Sequence, residues 1–153
     1  MPQEAPHRKK KVGITRDKAK ELIAALVERA KAVDADPQYL YGISRMAVFG
    51  SYLTGKEKLG DIDIALELGP KERHPPTHWK LAEEQRQEAP RGNMIERLFW
   101  PQFKVRKALR DRHGAFSFHE FTELEEMEKE FGTRFELIYR NEAFDCKSFF
   151  GHE

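Results

Sequence analysis

The sequence predicts an α/β (α+β) fold in which a mixed β-sheet of about four strands is flanked by helices. Residues 22–33 carry apolar side chains at helical spacing, whereas residues 61–68 alternate between aliphatic side chains and acidic or small ones. A second helical pattern at residues 122–131 precedes a second alternating segment at residues 133–140. Helices and strands that interleave along 153 residues favour one layered domain.

The first half of the chain predicts a helix, a strand, a turn and a second strand. Thr15 is a suitable N-cap for a helix that ends before Pro37, because a residue that precedes proline is pushed out of helical geometry. Residues 43–49 form an apolar run typical of a strand buried on both faces. Glycines allow only a short helix or turn at residues 51–59, and the strand at residues 61–68 follows.

The second half predicts a more helical region and then a return to the sheet. A proline-rich loop is expected at residues 69–76, and residues 93–100 fit no single pattern. The expected elements are a helix at 79–89, a helix at 101–114, a strand at 116–121, a helix at 122–131 and a strand at 133–140. Thr122 and Glu125 form a capping-box pattern at the start of the fourth helix, with Phe131 on its core face.

The predicted domain organisation is a basic tail at residues 1–13, one domain at 14–140 with a helical insertion around 69–120, and a C-terminal tail at 141–153. The tail carries Phe149 and Phe150. A single cysteine, Cys146, excludes an internal disulfide bond, and no apolar run approaches membrane-spanning length. A cytoplasmic protein with no membrane partner is therefore expected.

Two carboxylates on one strand suggest a metal site. Asp61 and Asp63 are two residues apart, so both side chains project from one face, about 7 Å apart along the strand. Like charges in such a position repel unless a cation lies between them. Mg²⁺ is the natural cation, because it prefers oxygen ligands and shares its coordination with substrate phosphates.

The turn before this strand suggests phosphate binding. Gly50 allows a phosphate to approach the backbone closely, and the Ser51 hydroxyl and the following backbone N–H groups are suitable donors. A turn that holds phosphates beside a strand that holds the metal is the division of labour that nucleotidyl transfer requires.

The whole pattern resembles the signature of the DNA polymerase beta-like nucleotidyltransferase superfamily, in particular its minimal nucleotidyltransferase branch. The resemblance rests on Gly50-Ser51, a spacer of nine residues, and Asp61-Ile62-Asp63-Ile64. It implies that Gly50 and Ser51 bind the nucleotide, that Asp61 and Asp63 hold two Mg²⁺ ions, with Mn²⁺ as a substitute, and that AMP is transferred from ATP to a hydroxyl with release of pyrophosphate. It also implies a third acid, for which Glu136 is the candidate ligand or general base.

The sequence departs from the family pattern at three positions. The third acid is usually aspartate rather than the longer Glu136, Gly60 stands where a serine is common, and Tyr52 stands where a basic residue is common. These departures keep open the alternative of a catalytically weakened module that binds a nucleotide or a partner protein.

The resemblance also leaves several acceptors and partners open. The acceptor hydroxyl belongs to a protein, as in a toxin–antitoxin pair with a cognate toxin, or to the end of a tRNA, or to an antibiotic, which the lack of a second helical domain disfavours. A basic cluster bears on the tRNA alternative, although the outer face of an amphipathic helix explains it equally well. The cluster consists of Lys104, Arg106, Lys107, Arg110 and Arg112. His119 is interpreted as a strand-surface residue, and Glu67 as a surface acid.

Overall fold

The computed structural model describes residues 13–145 of the chain. The elements are β1 (Ile14–Thr15), α1 (Arg16–Ala35), β2 (Tyr41–Phe49), β3 (Lys58–Leu59), β4 (Ile62–Pro70), α2 (Pro75–Arg86), α3 (Met94–Leu98), α4 (Trp100–Arg110), β5 (Phe116–Glu120), α5 (Phe121–Phe131) and β6 (Phe135–Arg140). Two 3₁₀ helices, Gly50–Thr54 and Glu142–Phe144, follow β2 and β6. The predicted basic tail up to residue 12, together with Cys146, Phe149 and Phe150, lies outside the described residues.

The main sheet has four strands in the order β5-β4-β2-β6. Strand β2 is antiparallel to both β4 and β6, whereas β4 and β5 are parallel. The short strands β1 and β3 form a separate antiparallel pair. This mixed four-stranded sheet with flanking helices confirms the predicted fold class.

The first helix forms for the reasons that the sequence indicates. The Thr15 side chain accepts a hydrogen bond from the backbone N–H of Lys18 at 3.1 Å, which satisfies one of the free donors at the start of α1. Leu22 and Leu26 recur on one face of the helix and are buried against the sheet. The helix ends at Ala35, ahead of Pro37, as predicted.

Both faces of the two central strands are buried, because successive residues of a strand point to opposite sides. Val48 and Ile64 belong to the larger core, which α1 and α4 cover. Ala47 and Ala65 point the other way and pack under α5. The face that α5 covers also carries Asp63, because Asp63 lies two residues before Ala65 on β4.

The start and the outer face of α5 differ from the sequence prediction. The helix begins at Phe121 rather than Thr122, and Glu120 at its N-cap makes no side-chain capping bond, so the predicted capping box is absent. Glu125 instead binds the Arg45 guanidinium at 2.9 Å. Phe131, at the last residue of α5, is 78% exposed rather than part of the core.

The region at residues 69–120 contains α2, α3, α4 and β5. Pro75 and Pro76 open α2 instead of forming a loop, because proline lacks only an N–H that the first helical turn leaves unpaired. The segment that fitted no single pattern contains α3, whose N-cap Asn93 accepts hydrogen bonds from two backbone N–H groups. Helix α4 ends at Asp111 in left-handed geometry, three residues before the predicted Gly114. Across residues 13–145, none of the helices has the length and apolar character needed to cross a membrane.

Candidate active site

The structure brings the Gly50 turn directly against the Asp63 side chain. Gly50 follows the last residue of β2 and has φ +77°, a left-handed conformation that favours glycine. A Cβ atom at this position would lie 2.5 Å from Asp63 Oδ2, which is closer than real Cβ atoms approach. Gly50 therefore serves two purposes: it allows the turn to form, and it leaves the space that the Asp63 carboxylate occupies.

Arg16 at the start of α1 holds the segment that follows this turn. Its guanidinium donates to the backbone carbonyls of Tyr52 and Lys56 and lies over the Tyr52 ring, 4.7 Å from its centroid. The resemblance suggested that Tyr52 removes a basic residue from the turn. Arg16, which is distant in sequence, returns a positive charge to that place, and no local pattern could have revealed it.

Asp61 and Asp63 are close enough to repel each other. Asp61 lies directly before β4 and Asp63 is its second residue, and both side chains are half-buried. Burial is the largest influence on Asp63 and raises the pKa of this carboxyl. The negative charge of Asp61 also raises the pKa, whereas the His119 imidazole lowers it, and the net pKa of Asp63 is above its ordinary value.

His119 is a site residue that the sequence interpretation missed. Strand β5 runs parallel to β4, with Ser117 beside Asp63 and His119 beside Ala65, so both side chains share the Asp63 face. His119 Nε2 lies 3.4 Å from Asp63 Oδ1, and the ring packs edge-on against Phe49. The alternation of β5 did predict a surface-facing histidine, but only the pairing of β5 with β4 places it beside the aspartate.

Glu136 does not join this site. On β6 it pairs with Val48, which in turn pairs with Ile64, and residues that pair directly project to the same face. Glu136 is therefore on the α1 side of the sheet, whereas Asp63, paired with Phe49, is on the α5 side. The register corrects the prediction that Glu136 completes the metal site, because only a shift of one residue would bring it to the other face.

The chemistry of Asp61 and Asp63 suits a divalent cation with few protein ligands. Across residues 13–145, no three His, Cys, Asp or Glu side chains are placed to share one ion. Mg²⁺ in nucleotide sites is commonly held by one or two carboxylates, with substrate phosphates and waters completing its shell. Two half-buried carboxylates that repel each other fit this mode of binding.

Four of the five residues of the basic cluster, those on α4, bind partners within the fold, whereas Arg112 lies beyond the helix. Each interaction joins α4 to another element or to the chain around it. The pairs are Lys104 with Glu88, Arg106 with Glu120, Lys107 with Glu96, and Arg110 with the Phe116 carbonyl. These contacts favour the structural interpretation of the cluster over a nucleic-acid surface.

A larger concave feature lies at the other end of β4, away from the two aspartates. It is a largely apolar cavity of about 730 Å³ between the C-terminal half of β4 and helices α2 to α5. Trp79, Ile95, Leu98 and Phe99 line it and are each at least half exposed. The residues that line this cavity do not include Gly50, Ser51, Asp61 or Asp63. The cavity is therefore separate from the aspartate site.

Comparisons of the chain with protein-family models, with curated proteins and with solved structures gave no match.

Proposed function

We propose that this protein is a divalent-cation-dependent nucleotidyltransferase that transfers a nucleoside monophosphate from ATP, or another nucleoside triphosphate, to an acceptor hydroxyl. The acceptor oxygen forms a bond to the α-phosphorus. The bond from the α-phosphorus to the oxygen that bridges it to the β-phosphorus breaks, and pyrophosphate leaves. The acceptor proton passes to a base. A bound cation supplies neutralisation of the charge on the phosphate oxygens.

The contact between Gly50 and Asp63 carries this proposal. Because Gly50 has no Cβ, the Asp63 carboxylate lies directly against the Gly50-Ser51 turn. A phosphate held at this turn would therefore lie beside the carboxylate. Within residues 13–145, the Ser51 hydroxyl makes no hydrogen bond, so it is available as a donor to such a phosphate. Two mutually repelling carboxylates next to a phosphate-binding turn define a place where a cation lowers the energy of both groups.

The test uses two acids on opposite faces of one sheet. The protein is incubated with ATP labelled at the α-phosphorus, Mg²⁺ or Mn²⁺, and cell lysate, and both label transfer and pyrophosphate are measured. Asp63→Asn is expected to lower both by at least about a hundredfold, in line with the loss of one group that stabilises the transition state. Glu136→Gln is the matched control and is expected to retain activity. Label transfer that persists in Asp63→Asn would refute the proposal.

A second candidate function is nucleotide binding without turnover. It is favoured by the position of Glu136, since no third carboxylate reaches Asp63 among the described residues. This function predicts that ATP binds in a cation-dependent manner, that Asp63→Asn weakens the binding, and that no label is transferred. Label that appears on a protein or on an RNA distinguishes the two acceptor classes. A protein hydroxyl within a toxin–antitoxin pair is preferred on the resemblance alone, and the contacts of α4 with its neighbours add no support for tRNA binding.

A further inference from the structure

His119 is held from both sides of its imidazole ring. On one side, Nδ1 lies 3.3 Å from a carboxylate oxygen of Glu123, one turn into α5. On the other side, Nε2 lies 3.2 Å from the Ser117 hydroxyl and 3.4 Å from Asp63 Oδ1. Without a cation, Nε2–H can donate to Asp63; in the tautomer in which Nδ1–H donates to Glu123, the lone pair of Nε2 and a lone pair of Asp63 instead face the same space. A positive centre between them would satisfy both.

The spacing of these two atoms suits a shared metal ion. Two ligand atoms that bind one ion at about 2.1 Å lie about 3.0 Å apart in octahedral geometry and about 3.4 Å apart in tetrahedral geometry. The separation of 3.4 Å between His119 Nε2 and Asp63 Oδ1 is within this range. The side chains are 33% and 30% exposed, so an ion from solvent can reach them.

Glu123 supplies the third part of a recurrent arrangement. A histidine that binds a metal through one nitrogen usually donates its other N–H to a carboxylate or carbonyl, which fixes the tautomer and the orientation of the ring. With Nδ1–H as the donor to Glu123, the lone pair lies on Nε2, the nitrogen nearer to Asp63. Glu123 and His119 thus have the placement of the carboxylate and histidine in carboxylate–histidine–metal sites, and Asp63 would be the second ligand in place of Glu136.

We propose that His119 binds the divalent cation through Nε2 together with Asp63, and that the site therefore prefers Mn²⁺ or another transition metal to Mg²⁺. Imidazole is a good ligand for transition metals, whereas Mg²⁺ prefers oxygen. The inference rests on the proposed function, since it names a ligand of the cation that this function requires. Glu123 is a positioning residue that orients the ring.

The experiment is electron paramagnetic resonance of the full chain with Mn²⁺, first alone and then with an ATP analogue in which a methylene group bridges the α- and β-phosphorus. Loss of the free Mn²⁺ signal gives the affinity, and spin-echo modulation reports a directly bound ¹⁴N nucleus. The wild-type protein is expected to show nitrogen modulation. His119→Gln is expected to lose it and to bind Mn²⁺ at least tenfold more weakly, with Mg²⁺ as a better competitor than in the wild type. His113→Gln, at an exposed histidine beyond α4, is the matched control.

A parallel pair of variants tests the positioning role of Glu123. Glu123→Ala is expected to weaken Mn²⁺ binding by about tenfold or more, the effect usual for a partner of a ligating histidine. Glu126→Ala, on the same helix, is expected to leave the affinity unchanged. Labelling the wild-type protein with ¹⁵N-histidine keeps the assignment of the nitrogen independent of whether any variant folds, because the modulation frequency must then change.

Three results would overturn the inference. Mn²⁺ that is bound in an Asp63-dependent manner without nitrogen modulation would show that His119 is no ligand, while leaving the proposed function standing. Modulation that persists in folded His119→Gln would assign the nitrogen to another residue. If the wild-type protein binds no Mn²⁺, or binds it equally well after Asp63→Asn, the inference and the proposed function are both overturned.

Discussion

Replacement of Gly50 by alanine tests whether the turn and the Asp63 carboxylate form one site. Gly50 and Gly55 both have left-handed backbone geometry, with φ of +77° and +84°. They differ in their surroundings: a Cβ at Gly50 meets Asp63 Oδ2 at 2.5 Å, whereas a Cβ at Gly55 has no atom within 4 Å. Gly55→Ala is thus a control that introduces the same backbone strain without the contact.

The expected magnitudes follow from these distances. A left-handed non-glycine residue costs about 1–2 kcal/mol, which both variants incur. In Gly50→Ala the carboxylate must also move by at least 0.5 Å, from 2.5 Å to the 3.0 Å below which real Cβ contacts essentially never fall. An off-rotamer side chain adds about 1 kcal/mol, so Gly50→Ala is expected to cost about 2–3 kcal/mol in total. Because metal–ligand distances tolerate only about 0.2 Å, Mn²⁺ binding should weaken at least tenfold in Gly50→Ala alone.

Two measurements separate the outcomes. Urea denaturation gives the free energy of unfolding of the wild type and both variants, and Mn²⁺ titration gives the affinity. Gly50→Ala is expected to be less stable than Gly55→Ala by about 1 kcal/mol and to be the only one of the two with impaired Mn²⁺ binding. Equal stability and equal affinity in the two variants would refute the contact between the turn and Asp63.

Three further predictions concern the stability of the fold. Burial, with the Asp61 charge, holds the pKa of Asp63 above its ordinary value. The stability that the protonated Asp63 carboxyl contributes is therefore lost as the pH rises through the pKa of the folded state. Asp63→Asn should raise Tm at pH 7 in cation-free buffer, and a lower Tm would contradict this. Burial, joined by the hydrogen bond to Asp34, raises the pKa of Tyr139 to about 12. Tyr139→Phe should then lower the free energy of unfolding by about 1.5 kcal/mol below pH 10. Urea unfolding should show that this difference from the wild type shrinks as the pH rises towards 12, and a difference that stays constant would contradict the assignment. Leu124→Ala removes a side chain that is 0% exposed and should lower the free energy of unfolding by about 2–5 kcal/mol. Phe131→Ala, at a side chain that is 78% exposed, should lower it by less than about 0.5 kcal/mol, and the reverse order would contradict the observed exposure of Phe131.

Much of the fold was predictable because local patterns were strong. The cap at Thr15, the stop before Pro37 and the period-two alternation after Asp61 each reflect chemistry within a few residues. The errors arose where tertiary contacts decide. Glu125 does not form the predicted capping box. It forms an ion pair with Arg45, 80 residues away in sequence, which also binds Glu67 on β4.

The site divides in the same way. Gly50 and Asp63 follow each other closely in sequence, and antiparallel pairing of β2 with β4 necessarily returns the second strand to the turn. Alternation alone could not assign Glu136 or His119 to a face of the sheet, because their faces depend on the register of β6 and β5 against the central strands. A bulge in the pairing of β2 with β6, between Met46 and Ala47, further moves Tyr139 and Arg140 out of the alternation that holds at residues 135–137, and nothing in the local sequence marks it.

Two acids on the same face of β4, Glu67 and Asp63, have different surroundings in the fold. Glu67 accepts hydrogen bonds from Arg45 and from Ser44, so its charge is neutralised within the structure. Asp63 has the His119 imidazole at 3.4 Å, but it also lies against a turn that needs left-handed geometry, and burial and the Asp61 charge raise its pKa despite His119. A sequence shaped by stability alone would have treated both acids alike. Local costs converge on one carboxylate, while a carboxylate four residues away on the same face is fully paired, and these are the costs that the proposed cation would relieve.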